Sequence, residues 1–136
     1  MSLKLATFGV DAIVVEYDSD GEKIVNKESI VLNLDIDETE SLINLIYNCL
    51  SYIRIVQDYN KHGIGQKPKK SPQFVSDNYF EIACYGEGNS YLRFERDGKE
   101  YDIELMEEEL LSLYTYLKDI MKYSENLSLD NVLDDL

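Results

Sequence analysis

Few residues in this 136-residue chain have the types and spacing that catalysis requires. Its one His, His62, lies in a Gly-rich stretch where no local element would hold it beside a nucleophile, as Ser-His-Asp or Cys-His hydrolysis demands. Cys49 and Cys84 fall among apolar residues and form no C-x-x-C pair, so small buried side chains are predicted. They do not supply the three or four ligands of a zinc site. The sequence therefore predicts a protein that is not an enzyme and has no metal or other cofactor.

Three short motifs look like ligand-binding or catalytic sites but depart from the required patterns. "GIGQK" at 63–67 lacks the P-loop spacing, and Pro follows its Lys where a helix should begin. "DSDG" at 18–21 begins like a calcium loop but lacks the third ligand and the correct Gly position. Asp97 and Lys99 form a D-x-K of the kind found in metal-dependent nucleases, yet Asp97 and the following Gly are better explained as a hairpin turn. None of the three alters the prediction of a non-enzymatic protein.

Charge is the strongest compositional feature of the chain, whose formal net charge is -14. Residues 60–76 hold four of the 13 Lys and Arg residues and no acid, so all 27 acids lie elsewhere. An acidic surface of this kind repels nucleic-acid phosphates and acidic membranes and favours a basic protein partner. No secretion signal and no apolar run near 18 residues is present in the sequence, which predicts a cytoplasmic protein without membrane association.

The first half of the chain predicts three strands and a helix. Residues 6–17 are rich in β-branched and apolar side chains, "DSDG" is a turn, and "EKIV" and "SIVLNLDI" (22–25 and 29–36) are two further strands. Asp37 and Glu40 have the spacing of a capping box, with Asp37 as N-cap. Apolar residues then recur at spacings of three and four, which predicts a helix that ends near Asp58.

The second half repeats this pattern. Strands are predicted at 79–85, 90–96 and 99–105, followed by a helix from about Glu107 to Tyr123. At an offset of 68 residues, "AIVVEY" (12–17) lies over "FEIACY" (80–85). Either the chain contains a duplication, or two unrelated units share a pattern.

The predicted fold is therefore α+β, with two similar β-β-β-α units, each an antiparallel meander with one helix. They would form one compact domain over residues 1–136 with pseudo-twofold symmetry. The units span 5–58 and 78–123, and a basic Gly/Pro/Lys linker at 59–77 joins them. The acidic, amphipathic tail at 124–136 predicts a short separate helix from Ser128, docked either on this protein or on a partner.

Carboxylates on the outward side of the predicted second-half strands and on the following helix are the first candidate site. They are Glu95, Glu100, Asp102, Glu104, Glu107, Glu108 and Glu109. Carboxylates held on a rigid sheet and at a helix N-terminus can imitate a row of phosphates and occupy the Lys and Arg residues of a nucleic-acid-handling enzyme. Immunity proteins, antitoxins and phage-encoded inhibitors of host defence act in this way. The same carboxylates also fit a solvated polar surface.

A single-stranded nucleic-acid-binding protein is the alternative function. A curved sheet with helices behind it resembles, in architecture alone, the Whirly type of single-strand binder, in which exposed aromatic residues would stack on bases. The acidic tail would then recruit partners. A self-assembling structural protein is a further alternative, and a homodimer is left open. The residues of the candidate nucleic-acid face are Tyr79, Tyr85, Tyr91, Arg93, Lys67, Lys69 and Lys70.

Overall fold

The computed structural model describes residues 4–68, 72–86 and 88–134, with side chains up to residue 124. Six strands and two helices succeed one another along the described chain. They are β1 (Ala6–Tyr17), β2 (Lys23–Leu34), α1 (Ile36–His62), β3 (Gln73–Ser76), β4 (Glu81–Cys84), β5 (Asn89–Arg96), β6 (Lys99–Met106) and α2 (Glu107–Asp134).

All six strands form one antiparallel sheet in the order β2-β1-β6-β5-β4-β3. Two helices cover one side of the sheet. The side chains that point to that side come from the even-numbered residues of β1 and β5 and from the odd-numbered residues of β6. Strand and helix side chains share one buried apolar core there, which includes Val14, Leu92, Ile103, Leu42, Ile53 and Leu117. The predicted α+β class is confirmed: a compact two-layer arrangement covers one face of the sheet with helices.

The strand count and order do not show the predicted pair of β-β-β-α units. Residues 23–34 form one continuous strand because β1 offers a backbone ladder along its whole length, so the polar stretch at 26–29 pairs instead of turning. Residues 73–76, assigned to the linker from the sequence, add an edge strand to β4. The order of elements along the described chain is therefore β-β-α followed by β-β-β-β-α. Since neighbouring strands alternate in direction, β2 and β6 run parallel to each other, so the strand order does not clearly show a twofold relation between the halves.

The N-terminus of α1 begins two residues earlier than its sequence pattern indicates. Asp35 is the N-cap: its Oδ1 accepts from the Glu38 backbone N–H at 2.9 Å, and Glu38 Oε1 accepts from the Asp35 N–H at 3.1 Å. The predicted pair Asp37 and Glu40 has the same spacing but lies inside the first turns. The helix ends at His62, beyond the predicted Asp58, where Gly63 adopts a left-handed φ of 63° as C-cap. His62 is thus a helical residue and not part of the Gly-rich loop.

The backbone of α2 continues to Asp134, through the position of the predicted separate tail helix. No Gly or Pro interrupts residues 107–134, so nothing in the sequence breaks the helix near Ser128. The side chains beyond residue 124 lie outside the described residues, as does the predicted docking of the tail. No described helix is long and apolar enough to cross a membrane.

Each helix packs on strands from the other half of the chain. Cys49 of α1 lies 3.0 Å from Ser90 Oγ of β5, and a Cβ at Gly86, after β4, would lie 2.5 Å from Val56 Cγ1. From α2, the Tyr116 hydroxyl contacts the backbone of Thr7 in β1. Because both helices pack on the same side, the opposite face of the sheet has no covering element in the described chain.

Candidate protein-binding face

The sheet face opposite the helices, here called the open face, carries exposed apolar and acidic side chains together. Ile13 is 47% exposed, Val31 63%, Phe74 56% and Met106 47%. Large apolar side chains on a monomer surface are ordinary when scattered, but here they share one face of one sheet. The open face thus combines exposed apolar and acidic side chains on one surface of the sheet.

Carboxylates follow β6 along the open face at every second residue. Glu100, Asp102 and Glu104 alternate with the inward residues Ile103 and Leu105, as the sequence predicts. Residues two apart in a strand are about 6.7 Å apart, so the three carboxylates form a regular row. Glu95 of β5 is the direct cross-strand partner of Glu100. We call these four residues the acidic row.

The three glutamates at the start of α2 have different surroundings. Glu107 Oε2 accepts from the Gln57 side-chain amide at 2.8 Å, which directs it toward α1. Glu109 Oε1 accepts from the Met106 backbone N–H at 3.1 Å and caps the helix start. Glu108 is exposed. The acidic lining therefore continues from Glu104 of β6 to Glu109 of α2, while Glu107 contributes to the contact between the helices.

Arg93, Tyr85 and Tyr91 of the predicted nucleic-acid face do lie together on the open face. The Tyr85 and Tyr91 rings meet edge to face at 5.6 Å, and the Arg93 guanidinium lies 5.8 Å from the Tyr91 centroid. However, Arg93 Nε also contacts Asp102 Oδ2 at 3.3 Å. The Glu104 carboxylate raises the pKa of the Tyr91 hydroxyl, chiefly through its negative charge. Acids of the row thus compensate the groups that would meet a phosphate.

Tyr79 and Lys67, the other described residues of that predicted face, are not brought to this cluster. Tyr79 lies in the loop before β4, where the Asp77 carboxylate accepts from the backbone N–H groups of Tyr79 and Phe80. Burial raises the pKa of Asp77, but hydrogen bonds from Ser41 and from these two N–H groups outweigh it, so the pKa is lowered. Lys67 is exposed in the connector after α1. Lys69 and Lys70 lie outside the described residues.

A trough runs along β6 on the open face. It consists of three adjoining depressions of about 510, 290 and 550 Å³. Asp102 lines the first and second, and Asp11 and Glu104 line the second and third. The other charged residues that line the trough are Lys23, Glu81, Arg93, Glu95, Glu100, Lys27 and Glu109. Its uncharged outward-facing lining includes Val15, Ile13, Tyr91, Gly9 and Val31, and the third depression also reaches helix-side residues such as Ile103 and Leu105. Acids outnumber bases in this set, so the trough is acidic with an apolar part formed by β1 and β2.

The third depression lies where the sheet is split. The β1–β6 ladder covers only Ile13–Val15 against 100–102, and the strands separate from there toward the start of α2. The backbone N–H of Asp18 donates to the Glu22 carbonyl, and this pair continues the register of β1 with β2. Backbone groups alternate in direction along a strand. Even-numbered residues of β1 therefore direct their N–H and C=O groups to β2, and odd-numbered residues direct theirs toward β6. Gly9 and Asp11 therefore direct backbone N–H and C=O groups into the split. At Thr7 the Tyr116 hydroxyl takes the place of a neighbouring strand: it accepts from the Thr7 N–H at 3.2 Å and donates to the Thr7 C=O at 2.9 Å.

Sequence reasoning missed both the trough and the split, since they depend on which strand lies beside β1. The only local signal is Gly9 within a strand of β-branched residues, which is typical of a bulge or of a close backbone approach. No alternation pattern identifies β6 as the neighbour of β1.

Cys49 and Cys84 lie in the core, away from the open face. Both are fully buried and free, and Cys49 Sγ lies 3.0 Å from Ser90 Oγ of β5. Hydrogen bonding to Cys84 lowers the pKa of Cys49, and the same contact raises that of Cys84.

Among the described residues, no group of three or more His, Cys, Asp or Glu has an arrangement that could hold a metal ion. No protein-family model matches the chain, and no curated protein is significantly similar to it.

Proposed function

We propose that this chain is a non-enzymatic binding protein whose open face engages a basic surface of another protein. One observation carries the proposal: Glu95 and Glu100 are direct cross-strand partners on an uncovered sheet face. Like charges in this position destabilise a sheet. Lys or Arg residues of a partner would remove that repulsion on binding, which adds to the affinity.

The chemistry of the row favours a partner that normally binds nucleic acid. Such proteins present Lys and Arg residues to the phosphates of the nucleic-acid backbone. A row of carboxylates on a rigid sheet occupies the same side chains, and a net charge of -14 steers a basic partner toward the chain. Inhibition of a nucleic-acid-handling enzyme, as in immunity or anti-defence proteins, is the activity that follows from this mode of binding.

A triple variant tests the proposal. Glu95→Gln, Glu100→Gln and Glu104→Gln together remove three charges from the acidic row. The matched control removes three exposed charges outside the open face, with Glu28→Gln, Glu40→Gln and Asp119→Asn. The immobilised proteins are used for capture from the native cell at about 0.05 and 0.15 M salt, over which the screening length shortens. Each captured basic protein is then purified and its affinity is measured.

We expect the wild type and the control to retain a basic protein at low salt. The triple variant should bind this protein about tenfold or more weakly, because three carboxylates that contact its Lys and Arg residues have been removed. A tenfold loss of affinity corresponds to about 1.4 kcal/mol of binding free energy. Equal binding by the triple variant and the control, or the absence of any basic partner, would contradict the proposal. Circular dichroism of each variant shows that the fold is retained.

Single-stranded nucleic-acid binding is the second candidate, favoured by the cluster of Tyr85, Tyr91 and Arg93 on the open face. Such binding would have to displace Asp102 from Arg93 and overcome the acidic row. A gel shift with short oligonucleotides that is lost in Tyr85→Ala/Tyr91→Ala would support it. Self-assembly through the unpaired outer edges of β2 and β3 predicts a mass that rises with concentration in light scattering.

A further inference from the structure

We propose that the trough along β6 binds an extended segment of the partner that carries Lys or Arg at alternate residues. This inference rests on the proposed function and specifies the conformation and sequence pattern of the partner. The occupant is a strand-like basic segment, in contrast to a helix or a folded basic surface.

The spacing of the acidic row is the first argument. Glu100, Asp102 and Glu104 lie on the same side of β6 at intervals of about 6.7 Å. An extended peptide places every second side chain on one side at the same interval. Basic residues at positions i, i+2 and i+4 of such a segment therefore meet the three carboxylates in register.

The split between β1 and β6 is the second argument. Gly9 and Asp11 direct backbone groups toward β6 at positions where the described ladder has ended. A helix has its backbone N–H and C=O groups bonded internally, whereas an extended segment still has them to offer. One end of the segment, beside Glu104, can pair with this stretch of β1, while the rest lies over Asp102 and Glu100, where β1 and β6 remain paired. This pairing selects an extended chain, as in recognition by strand addition.

The composition of the trough is the third argument. Asp11 and Glu109 line the depression at the split, and Gly9 has no side chain to fill it. Ile13 and Val15 line the adjoining depressions, where they can contact the aliphatic stems of Lys or Arg. Carboxylates near apolar contacts match long side chains with a charged end.

Peptides of one composition test the sequence pattern. The first is a decapeptide of alternating Lys and Thr. The second has the same five Lys and five Thr residues in the order Lys-Thr-Thr-Lys-Lys-Thr-Thr-Lys-Lys-Thr, which places fewer Lys residues on one side of an extended chain. The third is the alternating peptide with N-methylated Thr residues, which removes backbone donors. Affinities are measured by fluorescence anisotropy at about 0.05 M salt. We expect the first peptide to bind about tenfold more tightly than the other two.

Gly9→Val separates shape from charge on the protein side. A Cβ at Gly9 meets only the Ile30 carbonyl oxygen, at 3.7 Å, so the substitution fits the strand while it fills the depression. We expect Gly9→Val to weaken binding of the alternating peptide about tenfold. Glu40→Gln, on the exposed side of α1, should leave it unchanged.

The outcomes distinguish the two proposals. Equal affinity for all three peptides, or no effect of Gly9→Val, would overturn the proposal that the partner segment is extended. The proposal of a basic protein partner would still stand in that case, provided that the triple variant loses binding. Failure of every basic peptide and protein to bind better to the wild type than to the triple variant would overturn both. Preference for an oligonucleotide over all peptides, or dimerisation that competes with the alternating peptide, would also overturn the extended basic segment.

Discussion

At the scale of single residues, the acids of the open face differ in how they are compensated. Asp102 Oδ2 contacts Arg93, while its Oδ1 is buried and has no hydrogen-bond partner among the described residues. Glu95 and Glu100 are exposed and face one another. An unsatisfied acceptor and a like-charge pair both reduce stability in the free protein, and a basic ligand on the open face would relieve the repulsion within the pair. The like-charge pair therefore supports the proposal that the row binds a basic partner.

Titration of Tyr91 tests the local electrostatics of the row. Glu104 raises the pKa of Tyr91 above its ordinary value because the anionic phenolate is repelled by the carboxylate. We expect Glu104→Gln to lower the pKa of Tyr91, so that its absorbance change occurs at a lower pH. The signal is assigned by its loss in Tyr91→Phe, and Glu108→Gln is the control. An unchanged Tyr91 pKa in Glu104→Gln would show that the two side chains do not meet.

At the scale of elements, local sequence signals placed most elements and misplaced some boundaries. Alternation in 99–105 predicts β6 almost to the residue, and Asp97-Gly98, both with positive φ, form the hairpin turn as expected. The start of α1 was misplaced because Asp35 and Asp37 both precede an acid by three residues. Only the backbone geometry decides which is the cap: Asp35 is extended, with φ -78° and ψ -176°.

A pair of substitutions tests the cap assignment. Asp35→Ala removes the carboxylate that accepts from the Glu38 backbone N–H but keeps the backbone N–H that donates to Glu38 Oε1, so we expect a loss of about 1–2 kcal/mol in the free energy of unfolding. Asp37→Ala removes only an exposed first-turn acid, for which we expect about 0.3–0.5 kcal/mol. Urea denaturation monitored by circular dichroism measures both. A larger loss for Asp37→Ala would restore the assignment made from sequence.

At the scale of the whole molecule, the two halves depend on one another for burial. The buried stripe of α1 contacts the β4 and β5 side of the core, and Tyr116 of α2 bonds to β1. By contrast, β1 and β6 join the halves through only three residue pairs. Packing of the helices, more than the sheet ladder, therefore connects the two halves.

Fragments that end in the connector test this dependence. Residues 1–66 alone would expose the α1 stripe, and residues 72–136 alone would expose β4 and β5, so we expect neither to unfold cooperatively. Mixing them should restore the native circular dichroism spectrum and a cooperative transition. A cooperative transition of residues 1–66 alone would show that the first half is independent.

The sequence by itself determined the features that depend on neighbouring residues. These are the net acidity, the period-two strands, the helical stripes, the turn at Asp97, and the placement of Glu100, Asp102 and Glu104 on one side of a strand. Such features follow from backbone geometry within a few residues.

Only the tertiary structure decided the strand order, the continuity of β2, the added strand β3 and the split beside β6. Each depends on contacts between residues far apart in the chain, such as Ile13 with Asp102, which no local pattern specifies. The acidic row was visible in the sequence. The trough that gives it a shape, and the backbone groups of Gly9 and Asp11 beside it, exist only because β1 lies next to β6 and then diverges from it.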